Sequence, residues 1–126
     1  MVDDVEGLRI EVYRALQLTG LPLSNLPSPS AGAAGRQTGG GVDVVEAQEL
    51  GAVIVGWVCS AELIKRAASA LDRGEDEHPA VRLQDETEAA MAAALASVLQ
   101  QQAFTTRPRA DVPGSHQLIV TKERAA

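Results

Sequence analysis

The stretch that most constrains this chain is AVIVGWVC at residues 52–59, eight residues without a charge. Valine, isoleucine and tryptophan favour an extended backbone, and at period two Val53, Val55, Trp57 and Cys59 point one way while Ile54 and Val58 point the other. Both faces are therefore apolar. A strand of this kind must lie inside a sheet, or have something packed on each side. It is also far shorter than the roughly 20 apolar residues needed to cross a bilayer.

The flanking segments supply neighbours for it. Residues 42–47 read as a second strand, joined to the first by a turn at Gln48, Glu49, Leu50 and Gly51, which makes a β-hairpin. Ser60 is placed to cap a helix over residues 61–73, with Leu63, Ile64, Ala67, Ala68 and Leu71 as its stripe and Gly74 after it. The acidic connector EDEHP follows. A second helix is expected over residues 85–103, where Asp85 and Glu88 have capping-box spacing and Met91, Leu95, Val98 and Leu99 share a face. Pro79 permits an earlier start at Ala80, which would recruit Val81 and Leu83. The two helices form an antiparallel hairpin. Residues 104–107 then read as an edge strand limited by Pro108, and residues 117–122 as a better strand centred on Leu118, Ile119 and Val120, with Pro113, Gly114 and Ser115 turning between them.

Two elements precede this unit. Residues 1–20 place Val5, Leu8, Val12 and Leu16 on one side of a helix ending near Gly20, although Leu8, Ile10 and Val12 also fit a short strand. Residues 21–41, LPLSNLPSPSAGAAGRQTGGG, lose all periodicity after Leu26 and read as a flexible Pro/Ser/Gly linker. The expected organisation is an N-terminal amphipathic helix at 1–20, a linker at 21–41 and an α/β domain at 42–126. The fold class is α+β: a small antiparallel or mixed sheet with helices packed on one face, preceded by a tethered helix.

Composition narrows the function classes. With one Phe, one Trp and one Tyr in 126 residues, the core rests on Val, Leu and Ile. A domain of this size buries at most about two thirds of its unfolded surface, so small side chains favour additional cover from a partner. Seventeen acidic residues against eleven basic ones give a net charge of −6, which disfavours nucleic acid and anionic lipid as partners. The acids are uneven, with seven of them between residues 72 and 88. A single cysteine cannot close an internal disulfide, and the first residues carry acids where a secretory leader needs a basic start. Both features point to a cytoplasmic address and away from a membrane.

Candidate chemistry is sparse. Cys59 precedes a helix N-terminus, a location that can lower a thiol pKa, but nothing fixes His78 or His116 beside it, and a small packing residue is the simpler role. The two histidines lie in separate loops and make no metal site, while Glu75, Asp76 and Glu77 lack the alternating ligands and the glycine of a calcium loop. Gly39, Gly40 and Gly41 precede a strand, whereas phosphate loops follow one, so the triplet reads as linker. Arg107 and Arg109, with Lys122 and Arg124, form a small basic patch if the last two strands pair, suited to an anion or an acidic partner. Trp57 anchors either the core or a contact between chains, and the core is favoured.

No fingerprint of adequate length or specificity is present, and no catalytic residue, cofactor or metal ligand is assigned. The expected function is a small non-catalytic interaction or assembly module, self-associating as a homodimer or binding another protein. Its candidate interaction residues are Val53, Ile54, Val55, Trp57 and Val58 on the strand and Val5, Leu8, Val12 and Leu16 on the first helix. Either that helix or a second subunit is expected to cover the sheet face opposite the helical hairpin. The runner-up is a small enzyme or ligand receptor with a pocket between sheet and helices, using Cys59 or the Arg107 and Arg109 pair. A regulatory DNA binder ranks third, because only Lys65, Arg66 and Arg73 would give a helix a basic face.

Overall fold

A computed structural model describes residues 3–24 and 39–122. Most of the expected linker, residues 25–38, lies outside the described residues, as does Arg124. The order of elements is helix α1 (Asp3–Leu18), strand β1 (Gly39–Ala47), a single 3-10 turn (Gln48–Leu50), strand β2 (Ala52–Ser60), helices α2 (Ala61–Asp72) and α3 (Pro79–Gln101), then strands β3 (Phe104–Pro108) and β4 (Leu118–Lys122). The four strands form one antiparallel sheet in the order β1-β2-β4-β3. The fold class is therefore α+β with helices on a small sheet, and β2 occupies an inner position as its two apolar faces require.

Cross-strand partners share a face, so the register assigns every side chain. Val42 lies opposite Trp57, Val44 opposite Val55, Val53 opposite Val120 and Val55 opposite Leu118. These residues, with Phe104 of β3, meet Val12, Ala15 and Leu16 of α1 and Leu95 and Leu99 of α3 in one buried cluster. Trp57 packs against the margin of that cluster, the core role expected for it. Helices α1 and α3 thus share one face of the sheet. The expectation that α1 or a second subunit covers the face opposite the helical hairpin is corrected for α1: its apolar stripe meets the same valines that α3 meets. Ion pairs at the rim fix α1 there, Arg9 to Glu46 at 2.9 Å and Lys122 to Glu11 at 2.7 Å.

Local sequence explains most element ends. Ser60 Oγ accepts from the Leu63 amide at 3.2 Å, the expected cap of α2. Helix α3, however, starts at Pro79, with His78 Nδ1 accepting from the Ala80 amide at 3.0 Å, so the capping box at Asp85 is not used. Proline at the first helical position has no amide proton to satisfy, and that advantage acts one and a half turns earlier. Helix α2 also departs from its expected stripe. It buries only Ala67 and Ala70, leaving Ile64 and Leu71 exposed.

The glycine triplet is strand rather than linker, since Gly39–Gly41 open β1. Residues 22–24 run beside it: the Val42 amide donates to the Pro22 carbonyl and the Ser24 amide donates to the Val42 carbonyl, both at 2.8 Å, and Leu23 forms a parallel bridge with Val42. Only a residue without a side chain tolerates this approach at Gly41. Its φ is +148°, and an added Cβ would sit 2.7 Å from the Pro22 carbonyl oxygen.

Candidate functional site

The side of the sheet turned away from the helices carries the alternate residues of every strand. Val45 pairs with Ile54, Ile54 with Ile119 and Ile119 with Arg107, so these four form one row across the sheet. A second row starts from Asp43 opposite Gly56 and continues through Gln117 to Arg109, whose amide donates to the Gln117 carbonyl at 2.8 Å. Ala47 and Ala52 extend the apolar patch on one side and Val58 on the other. None of these residues belongs to the core cluster.

Exposure within the patch is graded. Val45 is 45% exposed at the β1 side, while Ile54 and Ile119 at the centre are 8% and 6% exposed. Gln117 folds over Gly56, its Cγ 3.1 Å from the place a Cβ would occupy there. Arg109 holds that amide down, donating from Nη1 to Gln117 Oε1 at 2.9 Å and from Nε to Asp111 Oδ1 at 3.1 Å. The latter bond keeps the Asp111 carboxyl below its ordinary range. Asp43, at the opposite edge, has no hydrogen-bond or ion-pair partner among the described residues, and burial pushes its carboxyl up. Arg107 is exposed and equally without a partner.

The candidate interaction residues divide between the two sides. Val53, Val55, Val12 and Leu16 are wholly buried in the core, Val5 is also buried, and Leu8 and Trp57 pack at the core margin. Of the nine, only Ile54 and Val58 belong to the outer patch. The basic patch expected around Arg107 and Arg109 is split, because Lys122 pairs with Phe104 and so projects to the helix side, its ammonium 5.7 Å from the Phe104 ring centre. Sequence reasoning missed Asp43, Val45 and Gln117. Alternation through VDVVEA already put Asp43 and Val45 on one side, but nothing local said which side would meet the helices.

A second concave feature lies on the helix side. A groove of about 350 Å³ runs between α3 and β3, walled by Ala92, Ala93 and Ala96 and by Thr106, Pro108 and Leu118, with Arg107 and His116 also lining it. His116 has φ +56°, uncommon for a residue with a side chain, and its Nε2 lies 2.8 Å from Asp85 Oδ1. Ser115 Oγ, the nearest hydroxyl in sequence, accepts from the Gln117 amide instead of engaging the imidazole.

Cys59 does not line this groove. It is buried, with Sγ 4.0 Å from the Gln84 carbonyl oxygen, and burial followed by the Glu88 carboxylate raises its thiol pKa. The activating influence considered for a helix N-terminus is overridden, since β2 continues through Ser60 and turns the sulfur towards α3. Arg66 and Arg73, offered to DNA in the third reading, pair with Glu62 at 2.6 Å and Glu75 at 2.9 Å. Among the described residues no three potential metal ligands converge, and no helix is long and apolar enough to cross a membrane.

No family model, curated protein or solved structure matches this chain. The functional reading therefore rests on the geometry above.

Proposed function

We propose that this protein is a non-catalytic interaction module that binds another protein surface through the outer face of its sheet. The observation that carries the reading is Val45, 45% exposed on the side of the sheet turned away from the helices, with half-buried Val58 on the same side and Asp43, Gln117 and Arg107 around them, while Ala47, Ala52, Ile54 and Ile119 of that side are already buried. Apolar centres with polar rims are the usual anatomy of binding surfaces. A photo-crosslinking residue placed at Val45 of the full chain, in the cells that make it, tests this directly. The expected result is a discrete adduct from Val45 and none from Leu71, which is 50% exposed on α2. No adduct from Val45, or the same adducts from both positions, would overturn the reading.

A second reading has a specific observation in its favour. The groove beside α3 falls in the size range of small-ligand sites and has His116 in its lining. Its Ala92, Ala93, Ala96, Pro108 and Leu118 walls would suit a short apolar chain, with a polar end near His116. Titration with a small aliphatic carboxylate, followed by NMR, is expected under this reading to shift the His116 ring signals saturably. An unsaturable or absent response would dismiss it.

A further inference from the structure

Independently of the outer-face reading, we propose that the open edge of β3 and the groove beside α3 together bind a short extended peptide. The peptide extends the sheet beyond β3, with an apolar side chain in the groove and an acidic one against Arg107.

Unused backbone groups supply the first argument. β3 is the last strand in the order β1-β2-β4-β3, so one of its edges faces no other strand. The Arg109 amide donates to the Gln117 carbonyl, and in an antiparallel ladder such bonds alternate along the strand. Thr105 and Arg107 therefore bond towards β4, while the amide and carbonyl of Thr106 point out of the sheet edge, where neither has a partner among the described residues. Pro108, next in that row, offers a carbonyl but no amide. The edge thus accepts a few residues and then stops, which suits a peptide better than the long strand pairing of two folded subunits.

Shape supplies the second. Thr106 pairs with Val120 of the core and so faces the helices, where its hydroxyl accepts from Gln100 Nε2 at 2.7 Å. Its side of β3 forms one wall of the groove, and Ala92, Ala93 and Ala96 of α3 form the other. Because these alanines stop at Cβ, about 350 Å³ between helix and strand is left open. A peptide residue paired with Thr106 shares its side of the sheet, so its side chain turns into that space.

Charge supplies the third. Arg107 is exposed on the outer side of β3 and has no partner among the described residues, whereas Arg109 is committed to Gln117 and Asp111. Peptide residues flanking the one in the groove turn to that outer side, beside Arg107, where a carboxylate completes an ion pair. A second copy of β3 would bring another Arg107 there, and Phe104–Pro108 contains no acid. Main-chain bonds thus hold the peptide, and alternate side chains select an apolar–acidic–apolar pattern. With one anchored side chain and few hydrogen bonds, the dissociation constant is expected at about 10–500 µM.

The test is amide NMR of the full chain titrated to about 5 mM with acetyl-Thr-Leu-Glu-Leu-Thr-amide and with its counterpart carrying Phe for both Leu. Saturable shifts are expected, with the Thr106 amide among the largest. Methylating the peptide's two apolar-residue amides removes the donors to the Thr106 edge and is expected to abolish binding. Arg107→Glu is expected to weaken binding about tenfold or more and to favour the peptide with Lys in place of Glu. Urea unfolding followed by Trp57 fluorescence checks that the variant is folded. No saturable response to either peptide, or equal binding of the methylated or Lys peptides by the wild type, overturns the proposal. So does a Thr106 signal that moves with protein concentration alone, which assigns the edge to a second copy. A His116 response to a small aliphatic carboxylate with none to the peptides assigns the groove to the small-ligand reading and overturns the proposal too. Crosslinking at Val45 reports on the outer face alone, so the two readings fail separately.

Discussion

Replacing Gly41 by alanine should break the attachment of residues 22–24 to the sheet. Two costs combine. The backbone at φ +148° is one that a residue with a Cβ avoids, worth about 1–3 kcal/mol of strain. The new methyl group would also lie 2.7 Å from the Pro22 carbonyl oxygen and 3.0 Å from the Ser24 nitrogen, and those obstacles are backbone, not the yielding end of a side chain. Relief requires the two 2.8 Å hydrogen bonds between this segment and Val42 to lengthen or open. Each is worth about 0.5–1.5 kcal/mol net, and added to the backbone strain they bring the expected total to about 2–6 kcal/mol. Gly40 provides the control. Its φ is +57°, a Cβ there meets nothing within 4 Å, and Gly40→Ala should cost only about 1 kcal/mol. Equilibrium urea unfolding followed by Trp57 emission measures both, with unchanged slopes showing that the unfolded reference is the same. If Gly41→Ala is no more destabilised than Gly40→Ala, the close approach inferred at Pro22 is wrong.

Three further outcomes are expected. Leu99→Ala removes a fully buried side chain of α3 from the shared core and should lower stability by about 3 kcal/mol in the same urea assay. Ser60→Ala deletes the cap of α2 and should cost about 1 kcal/mol, with Ser60→Asp retaining most of it. For Cys59, a raised thiol pKa means a smaller thiolate fraction at neutral pH, so alkylation of the native protein should be slower than in urea and its rate should rise at higher pH than in the unfolded chain. Faster labelling of the native protein would reverse the assignment of this sulfur as a packing group.

Much of the fold was legible because its signals are local. The two-sided apolar run at 52–59 required an inner strand, and Ser60 and Gly74 marked the ends of α2. The start of α3 was left between two capping signals, Pro79 and the Asp85–Glu88 pair, and the earlier one prevailed. Asp85 was then left for His116, 31 residues away, a partnership that no spacing rule could indicate. The glycine triplet misled for a similar reason. Its composition matches a linker, but it opens β1, and Gly41 serves a backbone approach from residues 22–24.

By itself the sequence determined which residues are extended, which are helical and which side chains alternate together, since these follow from backbone sterics and from periods of 2.0 and 3.6 residues. It also determined that β2 has two apolar sides. Only the tertiary structure decided which of those sides meets α1 and α3, and so left Ile54 and Ile119 on the outer face with Asp43 and Arg107 at its opposite edges. That choice depends on the summed burial of three separated elements against one set of valines, a long-range quantity that no window of the chain contains.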